Sequence, residues 1–202
     1  GRAAQGDVAA LRQLVLPYGT DVLAVPPVTD GDRVVSSTMI RQAIQSGDLA
    51  LAARWLGEWF SFDGVVVAGR AVGRRIGIPT ANLEPPPRRV RPPDGVYATW
   101  VHARGRVHPA AGYIGIRPTL GTHGPTVIEL HLLDADLALY GERIEVDWVA
   151  RIRGDETFPD VSTLRRQIED DIRRIRAVLD NTAPPPPRRP GTDEVDSEGA
   201  VS

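Results

Sequence analysis

The clearest strand signal in the chain is Arg143-Ile144-Glu145-Val146-Asp147-Trp148-Val149-Ala150. From Ile144 onward every second side chain is apolar, and charged residues precede and separate the first three of these apolar positions. A period of two is that of a β-strand with one buried face. Four further stretches, separated by Gly and Pro turns, are predicted as strands: residues 62–68, 96–102, 107–114 and 126–133. Short strands at this spacing predict a mainly β domain, either a closed antiparallel barrel or a sandwich.

Helical patterns lie on both sides of the strands. Residues 161–179 repeat apolar side chains at helical spacing, which predicts a helix packed on the β-domain. Upstream, one helix is predicted to stop near Gly47, and a second spans residues 48–56 and ends at Gly57. Residues 21–25, Asp-Val-Leu-Ala-Val, are typical of a buried strand and suggest part of an α/β unit.

Composition excludes several kinds of protein. The net charge of -2 gives no basic field, so no nucleic-acid partner is expected. The chain has no cysteine, which rules out disulfides, thiolate zinc sites and a cysteine nucleophile. No apolar run reaches the about 18 residues that cross a bilayer, so we expect no membrane partner and a cytoplasmic location. All 24 basic residues are arginine, which excludes a P-loop with its phosphate-binding lysine.

A glycine- and arginine-rich segment follows the first predicted barrel strand. Its backbone amides and guanidinium groups suit the binding of nucleotide phosphates. A long hairpin loop with solvated arginines is the alternative interpretation of the glycine spacing. The candidate nucleotide-binding residues are Gly69, Gly73, Arg74, Arg75, Gly77, Pro79, Thr80 and Asn82.

Thr80 and Asn82 stand two residues apart in an extended segment, so their side chains are expected on the same side. A hydroxyl and an amide carbonyl are hard, neutral oxygen donors, which suit a Mg²⁺ ion that shares its other ligands with nucleotide phosphates. The segment therefore predicts a metal site without a carboxylate.

Glu129 lies in the predicted strand 126–133, on the opposite face from its apolar neighbours. A partly buried carboxylate there is a candidate general base that takes a proton from an attacking hydroxyl. A solvated glutamate on an edge strand is the commoner reading of the same pattern. His131, two residues on, is expected to be a surface or hydrogen-bonded side chain rather than a catalytic one.

Several ordered motifs together resemble the riboflavin kinase family, in particular the C-terminal half of the bacterial bifunctional riboflavin kinase/FMN adenylyltransferases. The glycine-rich loop leads into Pro79-Thr80-Ala81-Asn82, which is similar to that family's signature. The other matching blocks are Pro93-Asp94-Gly95-Val96-Tyr97, Gly115-Ile116-Arg117-Pro118-Thr119, Ile128-Glu129-Leu130-His131, Leu139-Tyr140-Gly141 and Arg153-Gly154-Asp155-Glu156-Thr157-Phe158. Two departures are Tyr113-Ile114-Gly115, where the family commonly has Asn-Ile-Gly, and Thr157-Phe158 in place of Lys-Phe.

The resemblance implies a six-stranded antiparallel Greek-key barrel with a C-terminal helix over residues 58–180. It implies transfer of the ATP γ-phosphate to the riboflavin 5′-hydroxyl, with Mg²⁺ and nucleotide phosphate on Thr80 and Asn82 and with Glu129 as catalytic base. The residues expected to bind the flavin are Arg153, Glu156 and Phe158.

The upstream segment resembles part of the family's adenylyltransferase domain. Ser36, Ser37, Thr38 and Arg41 match its last motif, in which hydroxyls and an arginine at a helix start hold triphosphate. Residues 1–57 are therefore expected to be an incomplete α/β nucleotidyltransferase remnant. Residues 181–202, proline-rich and then acidic, are predicted to form a disordered tail.

Two alternatives to the riboflavin kinase stay open. The chain could be a fragment of a bifunctional enzyme that also adenylylates FMN to FAD, although FAD formation is not expected from these residues alone. It could also be a non-catalytic module that binds flavin.

Overall fold

The computed structural model describes residues 7–69, 77–84, 89–116, 124 and 126–188. The chain divides into two compact units, Gly1–Ser36 and Ser37–Ser202. The first unit contains helix α1 (Val8–Val15), a 3₁₀ turn (Leu16–Tyr18) and two short paired strands, β1 (Thr29–Asp30) and β2 (Arg33–Val34). Asp7 begins α1, since its carboxylate accepts a hydrogen bond from the Ala10 amide at 2.7 Å.

The strand predicted at residues 21–25 is not present. These residues have no regular structure, and Leu23 and Val25 are 88% and 80% exposed. A strand needs a neighbour to satisfy its backbone hydrogen bonds, and in residues 7–36 the two-residue pair of β1 and β2 is the only ladder described. The prediction was wrong because apolar content alone does not supply that neighbour.

The second unit opens with helices α2 (Ser37–Ser46) and α3 (Leu49–Leu56). Asp48 caps α3 by accepting from the Leu51 amide at 3.0 Å, and Gly57 ends it in a left-handed conformation with φ 79°. The predicted positions of both helices are confirmed. Although the sequence places them in the segment 1–57, they belong to the same compact unit as the strands that follow. The domain boundaries themselves remain predictions.

Six strands form a closed antiparallel barrel: β3 (Phe60–Val67), β4 (Ala81–Leu83), β5 (Gly95–Ala103), β6 (Arg106–Ile116), β7 (Thr126–Leu132) and β8 (Arg143–Gly154). Their order around the barrel is β3-β4-β7-β6-β5-β8. Strands β5, β6 and β7 are sequential neighbours, and β8 returns to pair with β5, which is the Greek-key arrangement. The predicted barrel is thus confirmed, and the sandwich is excluded.

The barrel core consists of the alternate inward side chains of these strands. Trp148 is its largest member; it stacks on Phe62 at a centroid distance of 5.2 Å and meets Tyr97 edge-on at 5.3 Å. The inward face of residues 143–150 is therefore the one that the alternation predicts, with Ile144, Val146 and Trp148 buried.

Helix α4 (Val161–Asp180) follows the barrel, as predicted. Ile175 and Leu179 are buried in a second apolar cluster on the outside of the barrel wall, together with Val96, Trp100 and Val149. Asp160 caps the helix by accepting from the Thr163 amide at 2.7 Å. Across the described ranges, no helix combines the length and the apolar character needed to span a membrane.

The structure describes residues 181–188 of the predicted tail, and Arg188 at their end contacts the barrel. Its backbone amide donates to His102 Nδ1 at 3.0 Å, and His102 Nε2 in turn donates to Asp147 Oδ2 at 2.7 Å. The side chains of His102 and Asp147 are both 0% exposed. The Arg188 guanidinium lies 3.1 Å from Glu145 and 3.4 Å from Asp147. This group of residues links the segment after α4 to strands β5 and β8. The remainder of the predicted tail lies outside the described residues.

Candidate active site

The candidate site lies on the outer face of the barrel, where β4 and β7 pair. Asn82 of β4 stands directly opposite Glu129 of β7 in the strand register. Directly opposed residues of antiparallel strands place their side chains on the same face of the sheet. Thr80, at the start of β4, lies with its Oγ1 3.4 Å from Glu129 Oε2, a long hydrogen bond. The structure therefore brings Thr80, Asn82 and Glu129 together.

The alternation of β7 produces this placement. Ile128, Leu130 and Leu132 point into the barrel core and are buried, so Glu129 and His131 point outward and are half-buried. Glu129 thus belongs to a strand that is paired on both sides, with β4 and β6. This differs from the solvated edge-strand glutamate that the pattern also allowed.

His131 supports the segment that carries Thr80. Its Nδ1 lies 2.8 Å from the Pro79 carbonyl, and because a carbonyl only accepts, the histidine donates. His131 is therefore hydrogen-bonded, as expected, and it fixes the backbone next to Thr80. Gly77, two residues before Pro79, adopts φ +80°, a conformation that favours glycine.

Gly69 is packed against the Asn82 side chain. A Cβ at this glycine would lie 2.0 Å from Asn82 Nδ2 and 2.8 Å from Oδ1, so no larger residue fits without moving the amide. The absence of a side chain at Gly69 thus leaves room for the Asn82 amide in this position. Of the other predicted loop residues, Gly73, Arg74 and Arg75 lie outside the described residues.

A pocket of about 350 Å³ opens beside this cluster. Its lining includes Gly69, Thr80 and Asn82, together with mainly apolar residues of the segment before β8. The sequence marks Leu139 and Tyr140 of that segment as part of a block that resembles the family, but it assigns them no role, because the short apolar run has no recognisable periodicity. The lining residues there are Ala135, Asp136, Leu137, Ala138, Leu139 and Tyr140.

The donor set fits a magnesium ion. Thr80 offers a hydroxyl and Asn82 an amide oxygen, and both stand beside the carboxylate of Glu129. These are the hard oxygen ligands that Mg²⁺ takes, usually with several waters and substrate phosphates completing the shell. Within the described ranges, no group of three or more His, Asp or Glu side chains offers an alternative metal site.

The residues predicted to bind flavin lie at the end of β8, which contains Arg153, and in the loop between β8 and α4, which contains Glu156 and Phe158. Arg153 makes a two-pronged ion pair with Asp171 of α4, at 2.9–3.1 Å, and its guanidinium lies 5.4 Å above the Phe158 ring. The side chains of Arg153 and Asp171 are only 12% and 4% exposed. Glu156 lies 3.9 Å from the same guanidinium. Arg153 thus orders the loop and ties it to the helix, and its predicted contact with flavin stays a prediction.

Tyr113 of β6 is a further residue of this face, which the sequence marks as a departure from the family's Asn-Ile-Gly near the expected flavin side. It stands directly opposite Glu129 in the register, and its hydroxyl donates to Asp155 Oδ1 at 3.0 Å. The sequence assigns it no role of its own. Tyr113 links the strand beside Glu129 to the loop after β8.

The residues of the predicted adenylyltransferase motif occupy the region where the two compact units divide. Ser37, Thr38 and Arg41 lie in the first two turns of α2, and Ser36 is the last residue of the first unit. Their predicted role in triphosphate binding remains a prediction.

Replacing Gly69 by alanine is expected to lower kcat/KM for Mg-ATP by about tenfold or more if Asn82 has its predicted role, because the added Cβ would displace the Asn82 amide. The new Cβ meets the end of the Asn82 side chain, which can rotate away, so the melting temperature should change little. Steady-state kinetics with varied ATP and a thermal melt measure both effects. If the loss arises through Asn82, G69A should add little to the defect of N82A; full additivity would contradict this explanation.

Comparisons with known proteins identify the family to which the chain is similar. The family model for flavokinase, riboflavin kinase, matches residues 56–179. A bifunctional riboflavin kinase/FMN adenylyltransferase of Escherichia coli K12 is 37% identical over 185 residues, which are 91% of this chain and 58% of that protein. The enzyme of the same name from Bacillus subtilis is 38% identical over 149 residues, or 73% of this chain and 47% of that protein.

A crystal structure named as a macrolide-efflux protein from Streptococcus pneumoniae has a TM-score of 0.70 and 38% identity, over 75% of this chain and 50% of that chain. The chain spans little more than half the length of the Escherichia coli relative and about half that of the Bacillus subtilis one. The family match covers the whole barrel, with almost all of α4. On these grounds the chain belongs to the riboflavin kinase family.

Proposed function

We propose that this chain is a riboflavin kinase, which transfers the γ-phosphoryl group of ATP to the 5′-hydroxyl of riboflavin and releases FMN and ADP. The observation that carries the proposal is the pairing of Asn82 with Glu129 in the strand register, with the Thr80 hydroxyl 3.4 Å from the Glu129 carboxylate. Thr80 and Asn82 also line the pocket, so a candidate base stands next to a ligand set for nucleotide phosphates. Phosphoryl transfer needs little more than such positioning and charge stabilisation.

The pocket supports binding of the nucleotide on the β4 side of Glu129. Its apolar lining, with Leu137 and Leu139, suits a nucleobase, and Thr80 and Asn82 suit the phosphates. Gly69 lets the backbone approach those phosphates closely and leaves room for the Asn82 amide. The adenine and the phosphates of ATP would thus occupy the pocket, with the γ-phosphate toward Glu129.

Thr80 and Asn82 would hold the magnesium ion through their side-chain oxygens. The ion, when bound, neutralises charge on the phosphate oxygens during transfer. The hydrogen bond from His131 to Pro79 supports the backbone beside Thr80, and Gly69 leaves room for the Asn82 amide. Such preorganisation is what a phosphoryl-transfer site requires of the protein.

Glu129 acts on the acceptor. Its carboxylate takes the proton of the riboflavin 5′-hydroxyl as the oxygen forms its bond to the γ-phosphorus, and the bond from that phosphorus to the β-phosphate oxygen breaks. The electron pair of the broken bond leaves with ADP. Strand β7 is paired on both sides, and its register with β4 places Glu129 opposite Asn82.

A single assay tests the proposal: riboflavin is incubated with Mg-ATP, and the flavins are separated by chromatography. FMN should appear in proportion to ADP and should be absent when ATP or magnesium is omitted. Flavin binding without any FMN would instead favour the non-catalytic flavin-binding module. The same run detects FAD, whose formation would contradict assignment of the kinase reaction alone.

A further inference from the structure

Tyr113 lies on the side of Glu129 that faces away from the nucleotide ligands. Strand β7 runs between β4 and β6, so Glu129 has Asn82 on one side and Tyr113 on the other. In-line transfer needs the attacking hydroxyl and the leaving phosphate on opposite sides of the phosphorus. If the nucleotide occupies the β4 side, the acceptor reaches Glu129 from the β6 side, along Tyr113.

The Tyr113 ring lies along its own strand and over Gly115. A Cβ at Gly115 would lie 2.1 Å from the Tyr113 hydroxyl and 2.5 Å from its ring carbon Cζ. Residues two apart in a strand share one face, so only a glycine at this position leaves room for the phenol to lie flat. The orientation of the Tyr113 ring therefore depends on the glycine at position 115.

The hydroxyl of Tyr113 then reaches the loop after β8. It donates to Asp155 Oδ1 at 3.0 Å, and that same oxygen accepts the Glu156 amide at 3.1 Å. Burial raises the pKa of the Tyr113 phenol well above its ordinary value, and the nearby carboxylates of Asp155, Asp94 and Glu129 raise it further. The phenol stays protonated at neutral pH, so it remains a donor to Asp155.

We propose that Tyr113 is a positioning residue for the flavin: it holds the loop 153–158 against β6 through Asp155 and forms the wall along which the acceptor hydroxyl approaches Glu129. This inference rests on the proposed riboflavin kinase function. Tyr113 acts on the acceptor side alone, because Asn82 and the pocket lie across β7 from it.

Y113F keeps the ring and removes the hydrogen bond, so it isolates the contact with Asp155. A hydrogen bond to a charged group supports an expected rise of roughly three- to tenfold in the riboflavin KM, and also in its Kd measured by flavin fluorescence quenching with Mg-ADP present. The values of kcat and of KM for ATP should change less than about twofold. Y18F, which alters an 82% exposed tyrosine of the first unit, is the matched control and should leave all four values unchanged.

Two further variants separate this role from general damage. D155N keeps an oxygen that accepts from Tyr113, so it should lose less riboflavin affinity than D155A. The double variant Y113F/D155A should bind riboflavin no more weakly than D155A alone. G115A, which forces the ring aside, should weaken riboflavin binding in the same direction as Y113F.

The binding measurement distinguishes failure of this inference from failure of the proposed function. Wild-type protein that binds riboflavin but forms no FMN would refute the kinase reaction. The change in riboflavin Kd in Y113F would still test the contribution of Tyr113 to flavin binding. An unchanged riboflavin Kd and KM in Y113F, or additive effects of Y113F and D155A, would overturn the role of Tyr113, as would absence of riboflavin binding by the wild type.

Discussion

Replacing Glu129 by glutamine is expected to lower kcat for FMN formation by at least about a hundredfold, the usual loss when a general base is removed. Glutamine keeps the size of the side chain and its place opposite Asn82, but it cannot take the proton from the acceptor hydroxyl. Because the residue points outward from the barrel, the core should be unaffected and the melting temperature nearly unchanged. Rates with saturating riboflavin and Mg-ATP, followed by chromatography of FMN, measure the loss.

The matched control for this variant is E84Q. Glu84 follows β4 directly and is exposed, so it offers the same substitution close to the site with no catalytic role assigned. E84Q should retain wild-type kcat, and E129Q should still bind Mg-ADP with wild-type affinity, which calorimetry measures. Turnover of E129Q within a few-fold of wild type would remove Glu129 from the role of base.

Replacing Asp147 by alanine is expected to cost about 1–3 kcal/mol of unfolding free energy, the range found when a buried hydrogen-bond donor loses its partner. The variant leaves the buried His102 Nε2 without its acceptor and takes one carboxylate away from Arg188. Asparagine at the same position keeps an oxygen that accepts from His102, so D147N should lose less than D147A. Urea unfolding followed by fluorescence or circular dichroism gives these differences.

Glu58 provides the control for Asp147, because it contacts the same Arg188 at 2.9 Å but is 62% exposed. An exposed ion pair contributes little, so E58A should cost less than about 1 kcal/mol. Equal losses in D147A and E58A would show that burial of the His102–Asp147 pair does not determine its contribution.

The pH dependence of D147N offers a second test of the buried pair. Burial raises the pKa of Asp147 above its ordinary value, against the opposing effects of His102 and Arg188. An acid whose pKa is raised on folding favours the folded state when it is protonated. That contribution is present below pH about 3.8 and is lost as the pH rises through the raised pKa. The stability of D147N, which does not titrate there, should therefore improve relative to wild type as the pH increases above about 4.

The strands and helices that the sequence predicted correctly are those with a long, regular pattern. Residues 143–150 alternate so plainly that both the strand and its inward face follow from them, and α4 repeats over enough turns to be recognised. Strand β4 was not predicted as a strand because three residues are too few for any period to show. Its place in the barrel depends on pairing with β3 and β7, which is information from distant parts of the chain.

Some residues of the candidate site could likewise be predicted from the sequence, and others could not. Thr80, Asn82 and Glu129 could be proposed from residue chemistry and from the family resemblance, and the register explains why they meet. Asp171 and Arg188 could not be found, because a charged residue in a helix or tail gives no sign in the sequence of the buried partner that it will pair with. The sequence marks Tyr113 as a departure from the family pattern, but its hydrogen bond to Asp155 could not be predicted from it.

The strand order also determines when the barrel can assemble during synthesis. Strand β8 closes the barrel by pairing with β3 on one side and β5 on the other. Phe60 of β3 therefore pairs with Trp148, and Val101 of β5 with Val146, only once β8 has been synthesised. Both partners leave the ribosome well before β8, since translation runs from the N-terminus. Glu129, Thr80 and Asn82 are translated before β8 too, but they lie on an open, incomplete sheet until residue 154 has emerged. The nascent chain is therefore expected to expose the apolar face of β3 to β7 for that interval, and because long-range strand pairs form slowly, we expect closure by β8 to be the slow step of folding.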